Sequence, residues 1–129
     1  MLRIISGIWR GHRLQLPPSS ITRPTTDRVR ESIFNILIHN YDVDFTGLRV
    51  LDAFAGSGAL GLECLSRGAE KVYFIEKHSQ VLQVLKTNID TLGANKRCEV
   101  FKNDHIIMAL QSVDLVFLDP PYQKNLLKP

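Results

Sequence analysis

The second half of the chain alternates short apolar runs with segments of helical periodicity, and this alternation limits the possible folds most. The predicted strands are residues 50–54, 72–75, 98–102 and 113–118. Between them, helices are predicted over 59–67 and 79–92, ended by Gly68 and Gly93. Strands that alternate with helices build a parallel sheet with right-handed crossovers. We therefore predict an α/β fold with helices on both faces of a mostly parallel sheet.

A glycine-rich segment follows the first of these strands. Gly56, Gly58 and Gly61 have the spacing of a nucleotide-cofactor loop, and Glu76 ends the next strand. A dinucleotide such as NAD is one candidate ligand, but the carboxylate of Asp52 beside the loop would repel a pyrophosphate. S-adenosylmethionine carries an ammonium and a sulfonium and no phosphate. The sign of the charge therefore favours S-adenosylmethionine over NAD.

Three acidic residues end three successive predicted strands, at the edge where open α/β sheets bind ligands. In the favoured interpretation the glycines let backbone amides approach the cofactor, because a Cβ atom would collide with it. Glu76 can accept from both ribose hydroxyls. Asp104, after the third strand, can accept from the adenine amine.

Asp119, Pro120, Pro121 and Tyr122 close the last apolar strand and are the predicted catalytic residues. An amine on a heteroaromatic ring is a weak nucleophile, because its lone pair is delocalised into the ring. The Asp119 carboxylate and the Pro120 carbonyl can each accept one amine hydrogen, while the prolines keep the turn rigid. Tyr122 offers a face on which an extruded base can stack.

The segment before the sheet is predicted to form a hairpin, a linker and a helix. Residues 2–16 are typical of two short strands around 7–11, and Pro17, Pro18 and Pro24 indicate an extended linker. Thr26 or Asp27 can cap a helix that ends at Asn40. The apolar face predicted for this helix consists of Val29, Ile33, Ile36 and Leu37. The opposite, polar face consists of Arg28, Glu31, Asn35 and His39.

Residues 1–30 hold six arginines against Asp27 alone, in a chain of net charge +3. Arginine contacts phosphate oxygens in pairs and stacks on bases, so this segment favours a nucleic-acid partner. An ordinary solvated face stays the alternative. The predicted RNA-binding residues are Arg3, Arg10, Arg13, Arg23, Arg28 and Arg30.

Composition excludes several classes of protein. A chain of 129 residues without a long apolar run or a signal-peptide core predicts a cytoplasmic protein without a membrane span. Cys64 and Cys98 are too few for a disulfide framework. The histidines, His12, His39, His78 and His105, lack ligand spacing, so we predict no metal.

With these motifs together, the chain resembles the bacterial RsmD family, the small-subunit ribosomal RNA guanine-N2 methyltransferases. The matching segments are RIISG at 3–7, RGHRL at 10–14, RPTTDRVRESIFNIL at 23–37, LDAFAGSGALGLE at 51–63 and VFLDPPY at 116–122. The arginine-rich start and the DRVRE helix are the parts most particular to this family.

The resemblance implies a Rossmann-like class I methyltransferase that transfers a methyl group from S-adenosylmethionine to the N2 amine of a guanine in 16S ribosomal RNA or the small-subunit particle. It divides the chain into a hairpin and linker, 1–22, and a cofactor domain, 23–129. The implied cofactor residues are Asp52, Phe54, Gly56, Gly58, Glu76, Asp104 and His105. His105 departs from the small residue usual at that position.

The family's sheet has seven strands in the order 3-2-1-4-5-7-6, and this chain stops just past the fourth. We expect the order 3-2-1-4, an unpaired fourth strand and weak activity of these residues alone, in a protein that is a monomer at full length. Three alternatives stay open: a DNA adenine-N6 or cytosine-N4 methyltransferase, a non-catalytic RNA-binding module, and an NAD-dependent oxidoreductase.

Overall fold

A computed structural model describes residues 2–18, 26–53, 55–102 and 112–118. The first elements are the strands β1 (Leu2–Arg3) and β2 (Arg13–Leu14) and the helix α1 (Asp27–Tyr41). They are followed by β3 (Arg49–Asp52), α2 (Ala59–Ser66), β4 (Lys71–Ile75) and α3 (Ser79–Leu92). A short 3₁₀ turn, Asn95–Arg97, leads into β5 (Cys98–Phe101), and β6 (Leu115–Phe117) follows.

The four later strands form one sheet in the order β5-β4-β3-β6. Every neighbouring pair is parallel, with Asp52 opposite Phe74 on one side and opposite Phe117 on the other. The carboxyl ends of the strands therefore meet at one edge. Numbered within this sheet, β3, β4, β5 and β6 are strands 1, 2, 3 and 4, so the predicted order 3-2-1-4 is confirmed. The predicted α/β class is confirmed as well.

The strands β1 and β2 form an antiparallel pair in which Leu2 lies opposite Leu14 and Arg3 opposite Arg13. Side chains alternate between the faces of a strand, so the two leucines share one face and the two arginines the other. The leucines are buried and the arginines exposed. The predicted N-terminal hairpin is confirmed, and below the name hairpin refers to residues 2–14.

Helix α1 begins where the sequence predicts, with the Thr26 hydroxyl accepting from the Val29 amide. The predicted apolar face is wrong in part, because Val29 and Ile36 are each about half exposed. The fully buried residues of α1 are Phe34 and Arg30. Helical spacing allows two overlapping stripes here, and the face that packs inward is the one that brings Arg30 to buried acceptors.

The apolar core lies between the sheet and the helices. One cluster joins Val50, Val72 and Phe74 of the sheet to buried residues of all three helices, among them Phe34 and Leu62. Helix α3 buries Val81, Leu85, Ile89 and Leu92 on one side, and Gly93 with φ 67° caps its end, as predicted.

The opposite face of the sheet carries a smaller cluster, formed by Leu51, Tyr73 and Ile75. No helix among the described residues contributes to this cluster. The prediction of helices on this second face of the sheet therefore stays a prediction. None of the helices in the described ranges is long and apolar enough to cross a membrane.

Candidate functional site

The predicted cofactor segment forms a tight turn between β3 and α2, which we call the glycine loop, residues 55–58. The Ala55 amide donates to the Ile75 carbonyl at 3.0 Å, and the Gly58 amide returns to the Ala55 carbonyl at 2.8 Å. Gly56 and Gly58 have φ of 55° and 86°, a region that side-chain-bearing residues rarely adopt. The loop thus sits at the carboxyl edge of β3, next to the end of β4.

The glycines also have roles inside the protein, beside the cofactor contact that stays a prediction. A Cβ at Gly58 would lie 2.5 Å from Leu85 of α3, and one at Gly61 would lie 2.4 Å from the Phe74 ring. Among the described residues, a Cβ at Gly56 would meet no atom within 4 Å. Two glycines therefore allow close packing of α2 against α3 and the sheet, while Gly56 is needed for its backbone conformation.

Asp52 ends β3 and is almost fully buried, with 1% of its surface exposed. One of its carboxylate oxygens accepts from the Gly61 amide at 3.2 Å. Gly61 is the third residue of α2, where backbone amides have no partner within the helix. The aspartate thus occupies an amide donor at the start of the helix that follows the glycine loop.

Glu76 follows β4 and is half-buried. One carboxylate oxygen accepts from the Gly56 amide at 2.9 Å, and the other accepts from the His78 amide at 3.0 Å. Each carboxylate oxygen has two lone-pair directions, so both retain capacity for a further donor. Glu76 and Asp52 thus accept from the first and the last amide of residues 56–61, which join the glycine loop to the first turn of α2.

The hairpin packs against the other end of α2, through contacts that the sequence did not predict. The fully buried Glu63 accepts from the Ile5 amide at 2.9 Å and from the Ser6 amide at 3.1 Å. Its carboxylate also accepts from Arg67 at 2.8 Å and lies 3.6 Å from the Arg30 guanidinium. One carboxylate therefore joins the hairpin to α1 and α2.

Ser66 adds three hydrogen bonds one turn further along α2. Its hydroxyl donates to the Ser6 carbonyl at 2.6 Å and accepts from the Trp9 amide at 3.0 Å, and its carbonyl accepts from the Ile8 amide at 2.9 Å. A Cβ at Gly7 would lie 1.9 Å from the Ser66 carbonyl oxygen. Only glycine at residue 7 permits this approach.

A third contact links the hairpin to the glycine loop through α3. Asn88 is 1% exposed and contacts both the backbone of Gln15 and the carbonyl of Ser57. Gln15 directly follows β2, and Ser57 lies inside the loop. No sequence pattern pointed to Asn88, because its partners are 73 and 31 residues away.

Comparison with known proteins identifies the family to which the chain belongs. Residues 2–129 match the family model described as Conserved hypothetical protein 95. The chain belongs to this family. It is 44% identical to ribosomal RNA small subunit methyltransferase D of Escherichia coli and 42% identical to that of Haemophilus influenzae, over 98% and 97% of its own length. A solved structure of the protein yhhF from Escherichia coli aligns with 98% of the chain at 41% identity and a TM-score of 0.75.

These comparisons confirm the predicted RsmD family and the fold. The chain spans 63% and 66% of the length of the two curated relatives and 67% of the solved chain. Several predicted site residues lie outside the described residues, and their roles stay predictions. They are Arg23, Phe54, Asp104, His105, Asp119, Pro120, Pro121 and Tyr122.

The RsmD-family arginines divide into two groups in this structure. Arg30 is fully buried, donates to the Arg3 carbonyl at 2.8 Å and pairs with Asp27. The prediction that Arg30 contacts RNA is therefore wrong for the folded chain: its charge is directed inward. The exposed group consists of Arg3, Arg10, Arg13 and Arg28.

Neither cysteine has the properties of a reactive group. Burial raises the pKa of the Cys98 thiol to about 12 and, with the nearby charge of Asp52, raises the pKa of Cys64 well above its usual value. Both thiols therefore stay neutral at physiological pH. Cys98 lines a groove of about 230 Å³ with Lys86, Ile89, Asp90, Asn95 and Val100, none of them from the glycine loop. No cluster of metal-ligating side chains occurs in the part of the chain that the structure describes.

Proposed function

We propose that this chain binds S-adenosylmethionine at the glycine loop and forms the cofactor-binding part of an enzyme that methylates the N2 amine of a guanine in 16S ribosomal RNA. The observation that carries the proposal is the hydrogen bond from the Gly61 amide to the Asp52 carboxylate. In a dinucleotide site the pyrophosphate takes the amides at the start of this helix. Here the protein's own carboxylate holds one of them.

Charge supports the same choice. The Asp52 and Glu76 carboxylates each accept from an amide of the segment 56–61. A diphosphate at the loop would therefore meet two negative groups at short range, whereas the ammonium and sulfonium of S-adenosylmethionine would be attracted. The half-buried position of Glu76 lets it accept from ribose hydroxyls while it keeps the Gly56 amide.

The other cofactor contacts follow from the family pattern. Gly56 and Gly58 would present backbone beside the methionine portion, with Phe54 next to them, and Asp104 and His105 would lie by the adenine. When bound, S-adenosylmethionine supplies a methyl group activated by the positive charge on sulfur.

The chain's own residues would prepare the acceptor. Asp119 and the Pro120 carbonyl would each accept a hydrogen of the guanine amine and so orient its lone pair, with Pro121 keeping the turn rigid and Tyr122 stacking on the base. The strand that leads to them, β6, pairs directly with β3, so Leu118 leaves the sheet at the same edge as Asp52.

The RNA would be held by the exposed arginines of the hairpin. Arg3 and Arg13 lie directly opposite each other on the outer face of the β1–β2 pair. Like charges in this position repel, and Asp27 offsets Arg3 only partly, at 3.8 Å in an exposed pair. A phosphate between the two guanidinium groups would remove the repulsion. The relatives named ribosomal RNA small subunit methyltransferase D give the class of RNA.

Transfer of labelled methyl groups tests the proposal. The chain, in excess over substrate, is incubated with labelled S-adenosylmethionine and either undermethylated 30S particles or duplex DNA, so that even slow transfer is measured. We expect label on guanine N2 of the 16S RNA and none on DNA. The Asp119→Ala variant should bind the cofactor and transfer no label. Label on DNA amines, or unchanged transfer by Asp119→Ala, would contradict the proposal.

A further inference from the structure

We infer that Asn88 is a positioning residue that couples the RNA-binding hairpin to the glycine loop, so that RNA and S-adenosylmethionine each raise the affinity for the other. This inference rests on the proposed function of the loop and the hairpin. It assigns a role to a residue outside both of them.

The contacts of Asn88 are specific for a carboxamide. Its side-chain oxygen accepts from the Gln15 amide at 2.7 Å, and its nitrogen donates to the Gln15 carbonyl at 3.0 Å and to the Ser57 carbonyl at 2.9 Å. Asparagine offers one acceptor oxygen and two donor hydrogens, and all three groups are used. Aspartate would lose both donated hydrogen bonds, and leucine would lose all three hydrogen bonds.

Both partners are backbone groups at informative positions. Gln15 comes directly after β2, so its peptide moves with the hairpin strand that carries Arg13. Ser57 lies between Gly56 and Gly58 and is buried. The nitrogen that holds the Ser57 carbonyl is the same one that holds the Gln15 carbonyl. If Gln15 moves with the hairpin, the Asn88 side chain moves with it. The hydrogen bond from Asn88 to the Ser57 carbonyl, which restrains the glycine loop, then changes its geometry.

Burial makes the link stiff. Asn88 is 1% exposed, so water is excluded from these bonds and a broken one would leave a buried polar group unpaired. Glu63 and Ser66 fix the first half of the hairpin to the far end of α2. Asn88 fixes its second half and reaches the loop itself, so the placement of the hairpin and the shape of the loop depend on each other.

The inference is tested by the linkage between two binding reactions. The affinity for S-adenosylhomocysteine, which cannot transfer a methyl group, is measured by calorimetry with and without a saturating 16S ribosomal RNA transcript. We expect RNA to raise the affinity of the native chain roughly fivefold or more. In Asn88→Ala the ratio should fall to less than about twofold, while Thr87→Ala, on the same helix with a hydroxyl that donates to the Gln83 carbonyl, should keep the native ratio.

A second variant covers the case in which Asn88→Ala does not fold. Gln15→Pro removes the amide that donates to Asn88, at a position that is exposed. It should lower the ratio in the same way. A ratio that stays native in either folded variant, or two affinities that fall equally with the ratio unchanged, would overturn the inference.

The two levels of the proposal fail in different ways. If the native chain binds both ligands but without linkage, Asn88 has no coupling role and the proposed function stands. If the native chain binds no S-adenosylhomocysteine, the proposed function itself is wrong.

Discussion

The two ends of helix α2 meet their neighbours by different means. At its start and in the glycine loop before it, backbone amides donate to Asp52 of β3 and to Glu76, which follows β4, and glycines allow close approach. At its end the side chains of Glu63 and Ser66 hold the backbone of the hairpin. Glu76 at the start is half-buried, whereas the carboxylate of Glu63 at the end is completely buried. Among the described residues, Glu76 is therefore the more accessible of the two glutamates, while Glu63 is enclosed by the protein itself.

Because of this difference, we expect Glu63 and Glu76 to have different roles. Glu63 is surrounded by two arginines and two backbone amides, so it neutralises buried charge and orders three segments at once. Glu76 has two amide partners and no ion pair among those that join the described residues. We therefore expect substitutions at the end of α2 to reduce stability, and substitutions at its start to reduce cofactor affinity.

The largest effect is expected for Glu63→Ala. It removes the buried carboxylate that lies beside Arg30 and Arg67 and leaves two hairpin amides without an acceptor, which should cost about 3–5 kcal/mol of unfolding free energy. Urea unfolding followed by circular dichroism measures the loss. The matched control is Glu70→Ala, whose ion pair with Arg49 is exposed and should be worth about 0–1 kcal/mol. Equal losses would show that the buried cluster does not hold the hairpin.

The next effect compares two glycines of the hairpin with similar backbone angles. Gly7 has φ 92° and Gly11 has φ 84°, but only at Gly7 would a Cβ meet the Ser66 backbone. Alanine at either position costs about 1–2 kcal/mol for the left-handed conformation. Gly7→Ala should cost roughly a further 1–3 kcal/mol, because the hairpin must move away from α2. Thermal unfolding of both variants gives the difference, and a Gly7→Ala no less stable than Gly11→Ala would contradict the close contact.

A smaller effect concerns the outer face of the hairpin. Arg13→Ala should weaken binding of a 16S RNA transcript and lower the slope of log K against log salt by about one, the amount for one lost phosphate contact. Fluorescence anisotropy over a salt series measures the slope. Lys96→Ala removes an equally exposed cation from the 3₁₀ turn and should leave the slope unchanged. An unchanged slope in Arg13→Ala would remove the hairpin from the RNA interface.

The smallest signal uses Cys64 as a reporter inside α2. Since burial raises the pKa of this thiol, the folded chain should react very slowly with a thiol reagent at pH 8. In a Cys98→Ser background, Gly7→Ala should speed the labelling, because the hairpin moves away from α2. Fast labelling of the native chain would show that α2 is not covered by the hairpin.

The raised pKa of both thiols also predicts a contribution to the free energy of unfolding that depends on pH. This contribution is complete below the ordinary cysteine pKa and is lost as pH rises toward about 12.

Much of the fold could be predicted from the sequence because its signals are local. Apolar runs and helical spacing located the sheet, and Gly93 marked the end of α3 at the correct residue. Local spacing failed for α1, where Val29 and Ile36 fit a helical stripe as well as Phe34 does. The stripe that faces inward carries Arg30, which lies 3.6 Å from Glu63, a residue far along the chain.

The site was predictable where a motif carries it. The glycine loop and Glu76 come together as expected, whereas the contacts of Glu63, Ser66 and Asn88 join segments 31 to 73 residues apart and have no local pattern. One signal was present for Glu63: it is the only charged residue in a helix of eight otherwise uncharged residues. Arg30 shows the reverse error, because composition counts a charge but not the direction in which it points.

A titration by calorimetry of S-adenosylmethionine and of NADH, each into the native chain and into Glu76→Ala, distinguishes the two candidate cofactors. We expect binding of S-adenosylmethionine, a loss of about tenfold in affinity in Glu76→Ala from the missing charge-assisted hydrogen bonds, and no binding of NADH. Binding of NADH to the native chain with no heat from S-adenosylmethionine would contradict this expectation.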